Sequence, residues 1–133
     1  MAEVIALDTN VIVRFLARDD EAQFRKADAL LARSRVLLTP TVLLETEWVL
    51  SNSYNVARTE IVRSLALLKE LPNVVFLEQE VCERAIDWHS AGMDFADALH
   101  VSCAHQADSF ATFDRKLVKK AARLATSVKV VPA

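Results

Sequence analysis

The segment Val4-Ile5-Ala6-Leu7-Asp8-Thr9-Asn10 shows the pattern on which the whole chain is built. Val4–Leu7 is a short apolar run without polar alternation, as expected for a strand that is covered on both faces. An amphipathic stretch, Thr9–Ala17, follows it directly. We therefore expect a strand that leads straight into a helix, with the carboxylate of Asp8 at the junction.

The same alternation of short apolar runs and amphipathic stretches continues along the chain. It predicts strands at Val4–Leu7, Val36–Leu38, Val74–Leu77, Phe110–Phe113 and Val128–Val131. It predicts helices at Thr9–Ala17, Glu21–Arg33, Pro40–Ser51, Thr59–Leu71, Gln79–Ser90, Phe95–Gln106 and Arg115–Ala125. Asp20 and Thr39-Pro40 have the residue types that begin helices, and Gly92 suits a helix C-terminus. The pattern predicts a three-layer α/β domain with a five-stranded, mainly parallel sheet flanked by helices.

The composition narrows the class of protein further. A chain of 133 residues is expected to form one domain, here residues 1–133, with a substantial core of its own. Its single glycine, Gly92, excludes a P-loop and a GxGxxG dinucleotide loop. The formal net charge of −2 argues against a protein that coats nucleic acid indiscriminately, but it leaves local basic patches open.

The cysteines and the hydropathy of the chain indicate in which cellular compartment we expect the protein. Cys82 and Cys103 lie on separate predicted helices without CxxC spacing, which favours two reduced thiols over a disulfide or a metal site. No apolar run approaches the roughly 18 residues of a membrane span. The N-terminus has no basic region followed by an apolar stretch. We expect a soluble, cytoplasmic protein.

Acidic residues at the edges of the predicted core are the candidates for function. Asp8 and Asp114 each close a predicted strand, and parallel sheets form their sites at the carboxyl ends of strands. Asp97 interrupts the apolar helical segment Phe95–Leu99. Carboxylates at a core edge need partners, and several that converge without basic neighbours indicate a divalent metal site.

Local structure offers an alternative for each of these residues. Asp8 and Asp114 stand where an N-cap is expected, and capping is a common role of aspartate. Asp94 lies one turn before Asp97 and can cap that helix, which leaves Asp97 as the inward carboxylate. On the helix that begins at Pro40, periodicity does not distinguish Glu45 from Glu47 as the acidic residue of interest.

Taken together, four motifs resemble the PIN-domain ribonucleases, and most closely the VapC toxins of toxin–antitoxin pairs. They are Ile5-Ala6-Leu7-Asp8-Thr9-Asn10-Val11, Leu43-Leu44-Glu45-Thr46-Glu47-Trp48-Val49-Leu50, Asp94-Phe95-Ala96-Asp97-Ala98-Leu99 and Ala111-Thr112-Phe113-Asp114-Arg115. The resemblance covers the whole chain with the motifs in order. It places the family's acidic tetrad on Asp8, Glu45, Asp97 and Asp114, and its polar accessory positions on Thr9, Asn10 and Thr112.

The resemblance implies metal-dependent hydrolysis of RNA phosphodiester bonds. Carboxylate oxygens suit Mg²⁺, or alternatively Mn²⁺, and we expect Asp8 and Asp97 to be direct ligands. Glu45 and Asp114 would bind a second ion or orient water. The resemblance also implies a cognate antitoxin and a homodimer, for which the early helices offer apolar residues: Val11, Ile12, Phe15, Leu43, Leu44, Trp48 and Leu50. Those residues are equally suited to the core.

Cations near the acidic residues have two interpretations. Arg14 and Arg18 follow Asp8, while Arg115 and Lys116 follow Asp114. They either contact RNA phosphates or form a solvated helix face, and for Lys116 both roles remain open. Lys119 and Lys120 lie further from the strand edge, which favours the solvated face. Among the histidines, His100 alone follows a candidate carboxylate closely enough to merit a test.

Other protein classes fit the sequence less well. A dehalogenase-type phosphatase needs a second aspartate two residues after the first, where Asn10 stands. A receiver domain needs an acceptor aspartate after the third strand, where Leu77-Glu78 stands. A catalytically idle interaction module on the same scaffold, and a housekeeping RNA-processing nuclease, remain the alternatives.

Overall fold

A computed structural model describes residues 3–133 and contains every predicted strand and helix. In chain order the elements are β1 (Val4–Ala6), α1 (Thr9–Ala17), α2 (Glu21–Arg33), β2 (Arg35–Leu38), α3 (Pro40–Asn52), α4 (Arg58–Glu70), β3 (Val74–Phe76), α5 (Gln79–Ser90), α6 (Phe95–Cys103), β4 (Ser109–Thr112), α7 (Arg115–Leu124) and β5 (Lys129–Pro132). The largest difference from prediction is at α6, which ends at Cys103 instead of Gln106 because the chain turns at Ala104.

The strands pair in parallel, as predicted, but in two separate ladders. In the described chain, β1, β2 and β3 form one sheet in that order, and β4 and β5 form another. The sequence pattern had predicted a single five-stranded sheet. The strands have only three or four residues each, so each ladder depends on a few hydrogen bonds with its immediate neighbours. The α/β class with parallel strands is confirmed.

Capping residues explain why most helices begin where they do. The side chain of Asp20 accepts a hydrogen bond of 3.0 Å from the backbone N–H of Gln23 at the start of α2. Thr39 caps α3 in the same way through Val42, with Pro40 at the first helical position. Each bond satisfies an amide that has no partner within its helix, and both of these helix starts were predicted from sequence.

The chain folds into two compact units with a boundary between Gln79 and Glu80. In the first unit, fully buried aliphatic side chains come from both helices and strands: Ile12, Val36, Leu38, Leu43, Ile61, Leu65 and Leu68. In the second unit, fully buried side chains come chiefly from α5 and α6: Cys82, Ala85, Phe95, Ala98 and Val101. The expectation of a single domain over residues 1–133 stays a prediction.

The chain takes a left-handed backbone conformation at several positions where glycine would be expected. Arg18 and Ala125 end α1 and α7 with φ of 50° and 53°, and Asn55 and Glu78 have φ of 53° and 52° in loops. Gly92, at φ 113°, follows α5 as predicted for a helix end. Among residues 3–133, no helix is long and apolar enough to cross a membrane.

Candidate active site

Asp8 lies where β1 runs into α1, and it does cap that helix. Its Oδ1 accepts a hydrogen bond of 2.7 Å from the backbone N–H of Thr9. The residue is nevertheless exposed, and Oδ2 has no hydrogen bond within the part of the chain that the structure describes. Capping and ligand binding are therefore compatible, because the cap uses only one of the two carboxylate oxygens.

Glu45 lies on α3 and shares a pocket with Asp8. The pocket has a volume of about 410 Å³. Its lining residues are Asp8, Thr9, Asn10, Val13, Arg14, Glu45, Val49 and Tyr54. Glu47 is absent from that lining. The structure thus places Glu45, rather than Glu47, on the same side as Asp8, a choice that periodicity alone left open.

One buried polar atom in this pocket lacks a partner. The hydroxyl oxygen of Thr9 is buried and has no hydrogen bond to any residue in the range 3–133. An unsatisfied buried hydroxyl costs free energy, so such groups usually serve water or a ligand. Thr9 was predicted as an accessory position from the family motif. Its orphaned hydroxyl beside Asp8 fits a site that binds a hydrated ion.

Arg14 brings a fixed cation to the same pocket. Its guanidinium binds both carboxylate oxygens of Asp19 at 3.1 Å, and its Nε donates to Gln23 over 2.7 Å. It also donates to the hydroxyl of Tyr54 over 2.8 Å, and that hydroxyl donates to Asp19 over 2.9 Å. The charge of Asp19 raises the pKa of Arg14, so the guanidinium stays protonated. The pocket therefore has carboxylates and a cation in its wall.

Tyr54 is a pocket residue that no sequence motif indicated. Tyr54 is the only tyrosine of the chain and lies in the loop between α3 and α4. No motif surrounds it, and its role depends on a hydrogen bond to a residue 40 positions earlier. The tyrosine's uniqueness was the only available signal.

In the second unit, Asp97 lies on the first turn of α6 among other acidic groups. Burial raises the pKa of the Asp97 carboxyl above its ordinary value, and the charges of Asp94 and Asp114 raise it further. His100 acts in the opposite direction. Asp94 caps the helix, since its Oδ2 accepts from the backbone N–H of Asp97 over 3.2 Å. Asp97 is thus the half-buried carboxylate, as expected.

Asp114 caps α7 with one oxygen. Its Oδ1 accepts hydrogen bonds from the backbone N–H groups of Lys116 and Leu117, at 3.0 and 3.1 Å. The hydroxyl of Thr112 accepts from the backbone N–H of Asp114 over 3.0 Å. Thr112, predicted as an accessory residue, therefore positions Asp114. The structure brings Asp97 and Asp114 close enough to interact electrostatically within one unit.

The predicted cations differ in their availability. Arg115 and Lys116 are exposed and form no ion pair among residues 3–133. Arg18 is committed elsewhere, because it pairs with Glu21 at 2.9 Å and its guanidinium carbon lies 4.1 Å from the ring centroid of Phe24. The expectation that Arg18 flanks the site is therefore not supported by its contacts.

The donor chemistry fits a divalent metal ion. Within residues 3–133, His, Cys, Asp and Glu side chains do not form a group of three or more that could hold an ion unaided. Mg²⁺ is commonly held by one or two carboxylates together with waters and substrate phosphates. Asp8 and Glu45 supply such oxygens in the first unit, and Asp97 and Asp114 supply them in the second. The buried Thr9 hydroxyl is available to bind a water molecule.

Comparison with known proteins found one matching family model. A family model described as the PIN domain matches residues 5–123, a range that includes Asp8, Glu45, Asp97 and Asp114. Comparison with curated proteins gave no match. PIN domains are generally nucleases that use divalent metal ions. The match therefore supports a nuclease-type fold with hydrolase chemistry.

Proposed function

Because the chain belongs to the PIN-domain family, we propose that it is a Mg²⁺-dependent endoribonuclease that hydrolyses RNA phosphodiester bonds. The observation that carries the proposal is the acidic surrounding of Asp97. Burial and the neighbouring carboxylates of Asp94 and Asp114 disfavour its ionised form. Such crowding costs stability unless a cation compensates it, and perturbed carboxylates of this kind concentrate at functional sites.

In this proposal Asp8 and Asp97 are direct metal ligands, and Glu45 and Asp114 bind a second ion or orient water. When bound, a divalent ion supplies Lewis acidity and neutralises charge on the phosphodiester. The chain's own groups do the positioning. The caps formed by Asp8 and Asp114 fix each carboxylate against a helix terminus, so little reorganisation is needed on binding. Arg14, whose guanidinium is already bound by Asp19, Gln23 and Tyr54, forms part of the wall of the pocket that contains Asp8 and Glu45.

An RNA cleavage assay with and without a chelator tests the proposal. Wild-type protein should cleave RNA in Mg²⁺ or Mn²⁺ and lose activity in excess chelator. Asp97→Asn and Asp8→Asn should each lower kcat by about 10²-fold or more, since metal ions supply several kcal/mol of transition-state stabilisation. Asp87→Asn, on the exposed face of α5, is the matched control and should retain activity. Chelator-resistant cleavage would refute the proposal.

For the biological role, we propose the toxin of a toxin–antitoxin pair that acts in the cytoplasm. The resemblance of the motifs to VapC toxins supports this role. A housekeeping RNA-processing nuclease would use the same site. A neighbouring gene for a small DNA-binding protein, and growth arrest on expression that the neighbour relieves, would distinguish the toxin.

The acidic site suggests how an antitoxin would inhibit. Carboxylates without a metal produce a negative potential that an arginine can satisfy, because guanidinium pairs bidentately with carboxylate and stays charged. We propose that the antitoxin's C-terminal segment places an arginine against Asp8, Glu45 or Asp97. High Mg²⁺ should then weaken inhibition. Inhibition that is unchanged at saturating Mg²⁺ and survives replacement of every arginine in that segment would exclude this mechanism.

A further inference from the structure

Phe113 is the most exposed large hydrophobic side chain among residues 3–133. Its exposed fraction is 89 %, compared with 45–58 % for Val4, Trp48, Leu67 and Leu77. A phenylalanine contributes to folding by burying its ring, and this ring buries almost nothing. Folding of the chain therefore does not explain why an aromatic residue stands at this position.

The backbone on both sides of Phe113 is held in place. The carbonyl of Thr112 accepts a hydrogen bond of 2.8 Å from the backbone N–H of Ala133, which ties β4 to the end of β5. On the other side, Asp114 is fixed by the Thr112 hydroxyl and by its own bonds to the first turn of α7. Phe113 is thus an exposed ring on a short, rigid connection between a strand and a helix.

The residues that follow Phe113 in the sequence are charged. Asp114, which the proposed function assigns to the metal site, is the next residue, and the exposed cations Arg115 and Lys116 follow it. Proteins that bind single-stranded nucleic acid combine exposed aromatic rings, on which bases stack, with cations that contact the backbone. A ring, two cations and a catalytic carboxylate in four consecutive residues match that combination.

We infer that Phe113 is a stacking platform for one base of the RNA, at a nucleotide beside the scissile phosphodiester. The inference rests on the proposed function. RNA is favoured over a protein partner as the occupant because exposed cations, Arg115 and Lys116, follow the ring within three residues, and rings combined with cations are typical of single-strand binding. Around Phe113 the consecutive neighbours Thr112, Asp114 and Arg115 are polar or charged. In this arrangement the base stacks on the face of the ring, and Arg115 and Lys116 contact the neighbouring phosphates of the RNA backbone.

Kinetics on a short single-stranded RNA test the inference. Phe113→Ala should raise KM by roughly 5- to 150-fold, the range expected from losing one stacked base. The kcat should change little, and Phe113→Trp should restore KM. Phe113→Leu keeps an apolar side chain without a π-face and should not restore it. Leu67→Ala, which removes another exposed apolar side chain, is the matched control and should behave as wild type.

A scan of the substrate with a single abasic nucleotide identifies the stacked base. At one position the abasic site should raise KM for the wild type but not for Phe113→Ala, because the same contact is already lost. Equal penalties for both proteins at every position would overturn the inference, as would an unchanged KM for Phe113→Ala. A change in the sedimentation coefficient of Phe113→Ala would also overturn it, by assigning the ring to an interface between proteins.

Failure of the inference can be told from failure of the proposed function. If wild-type protein cleaves the RNA and the Phe113 variants match it, only the stacking platform is refuted. If wild-type protein neither binds nor cleaves RNA in Mg²⁺ or Mn²⁺, the proposed function falls, and the stacking platform falls with it.

Discussion

The guanidinium of Arg14 donates a hydrogen bond of 2.8 Å to the hydroxyl of Tyr54, which lies 40 positions later in the chain. The same hydroxyl donates a hydrogen bond to the carboxylate of Asp19. These bonds connect α1 and the loop after it to the loop between α3 and α4, at the wall of the pocket that contains Asp8 and Glu45. The network therefore couples the position of the pocket's cation to two separate segments of the chain.

Removing the Tyr54 hydroxyl should destabilise the protein. Tyr54→Phe keeps the ring but leaves Arg14 and Asp19 each without one partner, so the urea midpoint should fall. Glu60→Gln is the control, because it breaks only the exposed pair between Glu60 and Arg63 within α4, and such pairs contribute little. A midpoint for Tyr54→Phe no lower than that of Glu60→Gln would show that the network adds nothing.

The stability lost in Tyr54→Phe should depend on pH. The hydrogen bond from Tyr54 is the largest cause that lowers the pKa of Asp19 below its ordinary value. A carboxyl with a lowered folded-state pKa stabilises the fold above its unfolded pKa, and the contribution disappears as the pH falls through the folded pKa. Urea unfolding should thus separate the two proteins clearly at pH 7 and bring them together below about pH 4. A gap that stays constant with pH would assign the effect to the bond between Tyr54 and Arg14.

Asp97→Asn should leave the metal-free protein as stable as wild type or more so. The pKa of Asp97 is raised by burial and by its acidic neighbours, so its ionised form opposes folding. That penalty is absent below the folded and unfolded pKa values and grows as the pH rises. In chelator, the melting temperature of the variant should exceed or equal that of wild type at pH 7, and the difference should vanish near about pH 3. Unfolding of the variant at pH 7 would show a structural carboxylate.

Mg²⁺ or Mn²⁺ should raise the melting temperature of the wild-type protein. An ion that binds only the folded state adds about 2.7 kcal/mol to the free energy of unfolding at 100 times its Kd. The shift should disappear when Asp8 and Asp97 are both replaced by asparagine, and it should persist in Asp87→Asn. Thermal denaturation measures all three proteins, and a shift that survives in the double variant would place the ion elsewhere.

The homodimer remains a prediction, and the structure narrows the surface that would form it. Of the apolar residues in α1 and α3 considered for it, Ile12, Leu43 and Leu50 are buried, whereas Trp48 is 58 % exposed. Trp48→Glu should therefore convert a dimer into a monomer in sedimentation at micromolar concentration. Leu67→Glu is the matched control on α4. A monomeric wild type, or equal dissociation by both variants, would count against the interface.

Much of the fold was predictable because local chemistry marks its boundaries. Asp20 and Thr39-Pro40 begin helices through bonds to their own next turn, and such interactions can be read from a few consecutive residues. The pairing of the strands was not predictable in the same way. Whether β3 and β5 extend one ladder or belong to two depends on contacts between distant segments, which the apolar runs do not encode.

In the candidate site, too, some residues could be predicted from local sequence and others depended on contacts between distant segments. Asp8 and Asp114 were proposed as site residues because each follows a predicted strand, whereas the choice of Glu45 over Glu47 needed the family motif and then the pocket. Phe113 was expected inside a strand, but β4 ends one residue earlier at Thr112, and the ring is exposed as a result. The sequence pattern records that a residue is apolar and does not record whether it finds anything to pack against.

The left-handed residues have a consequence for the evolvability of this protein. Side chains with a Cβ pay roughly 1–2 kcal/mol in that conformation, and Arg18, Glu78 and Ala125 all adopt it. Glycine would relieve the strain, although it would also give the unfolded chain more freedom. Relief of this backbone strain would therefore raise the free energy of unfolding. Ala125→Gly, which removes only a methyl group at the end of α7, would therefore offset part of the cost of mutations that improve activity at the expense of folding.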